Sequence, residues 1–249
     1  MSVQSSTDQA TAPAPKMSLL HGPVDPPLVD LTLGELLELQ TYQHGTQECL
    51  VIPWTGARWT YNDLNAQSSA LAQTLLDMGV GVGDRVAIMA GNCEQYAAVF
   101  FAVAKIGAIL VILNNTYTAT EALYGLTFSD SKVFFTTTRI GRNDNTPLLR
   151  ELENKAKDEG RTASKSHPHV VIIRGHVPDG YDTYDGLIRS AARKNPERLF
   201  RAMNKVLPHQ VVNLQFTSGT TGLPKAAMLT HQAERQVPIP LPRPTFQLS

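Results

Sequence analysis

DRVAIMAGNCEQYAAVFFAVAKIGAILVIL, residues 84–113, is the stretch on which the fold turns. Val86 to Ala90 is an apolar run with no polar residue at alternate positions, which predicts a strand buried on both faces. Asn92 is placed to cap a helix from Glu94 to Ile106. That helix is apolar almost all round, the pattern of an element covered on every side. Gly107 ends it, and Ala108 to Leu113 reads as a second buried strand. Tyr96 to Leu113 alone is 18 residues, the least that spans a bilayer. Lys105 near its middle and the glycine after it favour helix then strand, so no transmembrane segment is expected. Two strands joined by a helix of this length pair in parallel.

The alternation continues outward in both directions. Upstream, Cys49 to Pro53 is a short apolar run, Thr55-Gly56 offers a turn, and Arg58 to Thr60 returns. Thr60-x-x-Asp63 has the form of a capping box and opens a helix to about Met78. Leu64, Leu71, Leu75 and Met78 form its buried stripe. Downstream, Thr118-x-x-Glu121 opens a helix to about Ser129. Lys132 to Thr136 reads as a strand, Pro147 to Glu159 as a charged surface helix, and His169 to Arg174 as a strand. Asp182 to Arg193 is a weaker helix, and Val211 to Phe216 a last strand. The fold class is α/β, a mostly parallel sheet with helices on both faces. Ligands of such sheets lie beyond the carboxyl ends of the strands, so the loop after Phe216 is where chemistry is sought.

That loop is Thr217-Ser218-Gly219-Thr220-Thr221-Gly222-Leu223-Pro224-Lys225. Gly219 and Gly222 permit positive φ and let amide N–H groups approach an anion. The hydroxyls of Thr217, Ser218, Thr220 and Thr221 can donate to phosphate oxygens. Lys225 adds a mobile cation, and Pro224 limits the loop's shape just before it. The stretch is a candidate phosphate cradle, against the plainer reading of a Gly/Ser/Thr surface loop without a ligand. It is not the common nucleotide loop, because Pro224 and Ala226 stand where that pattern needs glycine and a hydroxyl residue.

Lys+Arg and Asp+Glu both total 22, so the formal charge is zero and no basic excess points to nucleic acid. An anionic ligand must be held by local groups. Cys49 and Cys93 stand far apart in no metal-ligand spacing and read as reduced thiols. Residues 1–27, rich in Ser, Thr, Ala and Pro, read as a disordered lead-in without the apolar run of a secretory signal.

The loop, with Leu214-Gln-Phe before it, resembles the phosphate-loop signature of the adenylate-forming superfamily. Trp59-Thr-Tyr-Asn-Asp-Leu64, Gly83-Asp-Arg-Val86, Gly91-Asn-Cys-Glu94 and Leu113-Asn-Asn-Thr-Tyr117 resemble its earlier landmarks, in order. Within it the chain is most similar to medium-chain-type acyl-CoA ligases and to fungal mevalonate-activating ligases of siderophore biosynthesis. The resemblance covers about residues 28–231. It implies an AMP-forming acyl-CoA ligase that uses a small carboxylic acid, ATP with Mg2+, and CoA. Thr217, Ser218, Gly219, Thr220, Thr221, Gly222 and Lys225 would hold the ATP phosphates, with Lys225 as the catalytic cation. Ala226 departs from the glycine usual after that lysine.

From residue 232 the likeness stops, and prolines at 238, 240, 242 and 244 forbid a helix there. Members of the superfamily are about twice this length. The expectation is therefore a truncated N-terminal part, 28–231, with an unrelated Pro-rich tail, 232–249. Such a part would leave a sheet edge and an apolar face uncovered and be inactive alone. The alternative is a non-catalytic fragment that at most binds phosphate or a partner. The compartment expected is the cytoplasm, with the peroxisome as the alternative for a full-length form. His231 reads as structural, His209 as an exposed loop residue, Trp54 and Trp59 as hairpin packing, and Glu151, Glu153, Lys155 and Lys157 as a solvated face.

Overall fold

Side chains of the strand around Ala87 divide between two cores, as the two-residue period of a strand requires. Val86 and Ile88 enter one apolar cluster, Ala87 and Met89 the other, and all four are buried. The computed structural model describes residues 30–159, 167–191, 196–217 and 225–234. The expected lead-in, most of the expected tail and residues 218–224 lie outside them.

The described chain begins with α1 (Leu33–His44), then β1 (Glu48–Ile52) and β2 (Ala57–Thr60) form a hairpin leading into α2 (Tyr61–Asp77). The opening stretch becomes β3 (Arg85–Met89), α3 (Glu94–Lys105) and β4 (Ile109–Ile112). Next are α4 (Ala119–Ser129), β5 (Val133–Thr136), the small hairpin β6 (Arg139–Ile140) and β7 (Asn143–Asp144), and α5 (Thr146–Glu159). β8 (His169–Ile172), β9 (Asp182–Thr183), α6 (Tyr184–Ala191) and α7 (Pro196–Met203) follow. β10 (Val211–Thr217), β11 (Lys225–Thr230) and α8 (His231–Glu234) complete the series.

Seven strands make one sheet in the order β11-β10-β4-β3-β5-β8-β9, and only the β10–β11 pair is antiparallel. Leu71 and Leu75 of α2, Ala98 and Ala102 of α3, Leu187 of α6 and Leu199 of α7 cover one face. Ala122 and Leu126 of α4 and Leu148 and Leu152 of α5 cover the other. Helices on both faces of a mostly parallel sheet are what the apolar runs predict. Alanines along α3 let that helix lie close to the strands beneath it.

Both expected capping boxes form, and a third, Thr32 with Glu35, starts α1. At α2 the Thr60 hydroxyl accepts the Asp63 N–H at 3.2 Å, and the Asp63 carboxylate accepts the Thr60 N–H at 2.9 Å. The Thr60 hydroxyl also donates to that carboxylate at 2.7 Å, and this bond first, then the one from the Thr60 N–H, holds the Asp63 carboxyl below its usual range. Thr60→Ala is expected to cost about 1 kcal/mol, read as a lower urea midpoint.

Four expectations need correction. Cys93, not Asn92, is the N-cap of α3, and it makes no side-chain capping bond. The Asn92 carbonyl instead accepts the Trp54 indole N–H at 2.9 Å. Trp54 does not pack in the hairpin; it is 68% exposed. The helix expected from Asp182 starts at Tyr184, because Asp182 and Thr183 extend the sheet beside β8. Residues 232–234 of the expected tail continue one helical turn in α8.

Lys105, the charge that argued against a membrane segment, has a fully buried side chain. Its ammonium donates to Glu38 Oε1 at 2.6 Å, to Ser69 Oγ at 2.8 Å and to Asn65 Oδ1, tying α3 to α1 and α2. Burial lowers its pKa, and Glu38 works the other way.

Four phenols carry the opposite titration. Burial pushes Tyr96 up to about 12 and also raises Tyr117, Tyr181 and Tyr184, with Glu153 adding to the rise at Tyr181. A phenol raised in the fold supplies stability that is complete below its unfolded pKa of about 10 and is lost above it. Lys105 has the reverse sign, since the charged form that burial disfavours is, for a lysine, the protonated one. Four phenols against one lysine predict a urea midpoint that falls between about pH 10 and 12, with Tyr184→Phe shallower than the parent.

Candidate active site

β10 ends at Thr217 and β11 begins at Lys225, and the two residues face each other as the last rung of their antiparallel ladder. The Thr217 hydroxyl donates to the Lys225 carbonyl at 3.2 Å. Both residues are exposed. The segment expected to cradle phosphate is thus the connection of a hairpin, and the sequence reading missed its second strand. Ser218, Gly219, Thr220, Thr221 and Gly222 lie outside the described residues.

The hairpin is held at its opposite end. Val211 pairs with Thr230, and the His231 N–H donates to the Gln210 carbonyl at 3.1 Å. His231 is buried at the start of α8, and its Nδ1 accepts the Leu33 N–H at 3.2 Å. The histidine is structural, as its position at a helix start implied. Asn213, also buried, donates to Glu234 Oε1 at 2.9 Å and draws α8 onto the sheet. His209 is exposed.

Asn213, Leu214 and Gln215 pair with Leu110, Val111 and Ile112 of β4, so the loop after β4 stands beside the mouth of the hairpin. There Asn114 Oδ1 accepts the Thr116 N–H at 3.0 Å and its hydroxyl at 2.9 Å, a closed turn. The Asn143 amide donates to the Asn115 carbonyl at 3.1 Å, joining this turn to the loop after β5. Between them lies a recess of about 300 Å³, bordered by Tyr117, Thr118, Arg142 and Asn145. Burial, then the Glu121 carboxylate, raises the Tyr117 pKa. All of these groups sit at the carboxyl ends of parallel strands, where ligands of such sheets are found.

Beside the hairpin the sheet is not fully covered. Phe128 is 60% exposed and Met228 70% exposed. Tyr124 stacks on Phe128, whose ring meets Phe216 edge-on. β11 is one of the two edge strands of the sheet among the described residues. Among the described residues no group of three His, Cys, Asp or Glu side chains is placed to hold a metal. Nor is any helix among them long and apolar enough to cross a membrane.

A mostly parallel sheet with helices on both faces, and with Thr217 and Lys225 at its carboxyl edge, is the frame in which the comparisons with known proteins are set. The family model described as AMP-binding enzyme matches residues 37–234, and the chain belongs to that family. It is 74% identical over 216 residues to the acyl-CoA ligase sidI of Beauveria bassiana (strain ARSEF 2860). That match covers 87% of this chain and 36% of the relative. It is 49% identical over 215 residues to the acyl-CoA ligase sidI of Aspergillus fumigatus, covering 86% of this chain and 36% of that one. The chain therefore spans about 36% of the length of these curated relatives. In three dimensions it is similar to the anthranilate CoA ligase AuaEII in complex with anthranoyl-AMP, at a TM-score of 0.67 and 20% identity. That likeness covers 84% of this chain and 36% of the other and speaks for the fold.

Proposed function

We propose that this chain supplies the ATP-phosphate-binding part of an AMP-forming acyl-CoA ligase. The observation that carries the reading is the Thr217–Lys225 rung. It fixes both ends of the Ser/Gly/Thr loop beside one another at the carboxyl edge of the sheet. In the proposed reaction a carboxylate oxygen attacks the α-phosphorus of ATP, the bond to pyrophosphate breaks, and an acyl-adenylate remains. The CoA thiol then attacks the acyl carbon, AMP leaves, and the thiol proton passes to solvent. The loop's N–H groups and hydroxyls, with Lys225, would hold the β- and γ-phosphates while the leaving pyrophosphate gains charge. Magnesium enters as the companion of ATP, and no step is assigned to a protein-held ion.

The acid is proposed from resemblance alone, as a small carboxylic acid of the kind activated in siderophore pathways. Acid-dependent ATP–pyrophosphate exchange, run with a panel that includes mevalonate, tests the reading. Exchange with one acid supports an adenylation site. ATP binding without exchange would reduce the chain to a phosphate-binding fragment, the second reading.

A further inference from the structure

A second crevice, of about 540 Å³, opens at the carboxyl ends of β3, β5 and β8, away from Thr217 and Lys225. The path of the chain explains it. From β3 the chain crosses to β4 on one side through α3, whereas from β5 it crosses to β8 on the other side through α5. Strand order reverses between β3 and β5, so the loops that follow those two strands diverge and leave a gap, the usual ligand position in sheets of this kind.

The residues around the gap give it a chemical character. Arg139, Arg174 and His176 line it, and among the described residues its lining contains no Asp or Glu. Glu94, the nearest acid in sequence, is buried. One of its carboxylate oxygens accepts the Thr55 hydroxyl at 2.9 Å, and the other accepts the Gln95 amide, also at 2.9 Å. The N-terminus of α3 opens here through Cys93, which leaves its capping position without a side-chain bond. Burial raises the Cys93 pKa, while the nearby Arg174 charge pulls it down. Trp54 stands at the rim, its indole N–H held by the Asn92 carbonyl. An exposed indole with its polar group already fixed offers its ring face at little ordering cost.

We propose that this crevice binds a phosphate ester of a planar ring, a ligand of the nucleotide class. The ring lies on Trp54 and the phosphate between Arg139 and Arg174. A guanidinium group matches phosphate oxygens in fork geometry, and an indole face stacks on a heteroaromatic ring. The proposal stands apart from the phosphate-loop reading, because none of its residues belongs to that loop.

The chain has two tryptophans, so Trp59→Phe leaves Trp54 as the only indole reporter. Titration of that variant with AMP is expected to quench Trp54 fluorescence to saturation below the millimolar range. Adenosine and inorganic phosphate, each alone, should bind more weakly. Arg174→Ala should raise Kd for AMP about tenfold, and Lys225→Ala should leave it unchanged. Calorimetry on the chain with both tryptophans intact gives the same comparison should Trp59→Phe fold poorly. No saturation by AMP, or a Kd that Arg174→Ala leaves unchanged, would overturn the proposal. So would AMP binding that disappears with Lys225→Ala, which would assign the nucleotide to the hairpin loop.

Discussion

Lys225→Ala is expected to slow acid-dependent ATP–pyrophosphate exchange by about 100- to 1000-fold, the usual loss when one preorganised donor to a developing charge is removed. The measurement is made in this chain if it supports exchange, and otherwise in a chain of the relatives' length. KM for ATP should move much less than kcat, because the leaving pyrophosphate carries more charge in the transition state than in bound ATP. Arginine at the same position should restore part of the rate, since it keeps the cation but not its shape. Equal losses in kcat and in ATP affinity would show that the lysine serves ground-state binding only. The structure makes this substitution clean. Lys225 takes part in the ladder through its backbone, and its side chain is exposed, so alanine should leave the hairpin intact.

The second large effect is on stability and separates two roles of one residue. Lys105→Ala is expected to lower the unfolding free energy by about 3 kcal/mol, whereas Lys105→Met should stay within about 1.5 kcal/mol of the parent. The aliphatic stem of Lys105 fills space between α3 and α1 so closely that a Cβ added to Gly34 would lie 3.1 Å from its Cγ. Alanine empties that space and leaves Asn65 and Ser69 without their shared donor. Methionine fills most of it, and Glu38, about half exposed, can return to water once its partner is gone. A methionine variant as unstable as the alanine variant would mean that the ion pair, not the packing, holds α1 on the sheet. Urea titration of the three proteins decides between these outcomes.

Much of the sheet was legible because its strands bury both faces. Val86 to Met89 and Val133 to Thr136 are apolar, or nearly so, at every position, and few other structures accept that pattern. The Thr60 and Thr118 boxes marked helix starts by a mechanism, not by composition. The same signal stood unread in Thr32-Leu-Gly-Glu35, as did Pro196 at the first position of α7. β11 gave no such signal. Lys225-Ala-Ala-Met228 has weak strand preference, and it is a strand because β10 offers it a partner. For that reason the Thr217–Lys225 rung could not be read from the residues of the loop, whose phosphate role rests on the proposed function. The crevice at β3 and β5 was hidden for a different reason. Trp54, Arg139 and Arg174 are far apart in sequence, and only the reversal of strand order brings them to one gap.

That strand order also has a consequence for synthesis. β3, β4, β5 and β8 follow one another along the chain and neighbour one another in the sheet, so this block can assemble as it leaves the ribosome. β10 must then find β4 across a long intervening segment and bring β11 with it. A nascent chain stalled before Val211 would already possess the Trp54 crevice and still lack the phosphate loop. The two candidate sites thus come into being one after the other, and ribosome-bound intermediates of increasing length would separate them without any mutation.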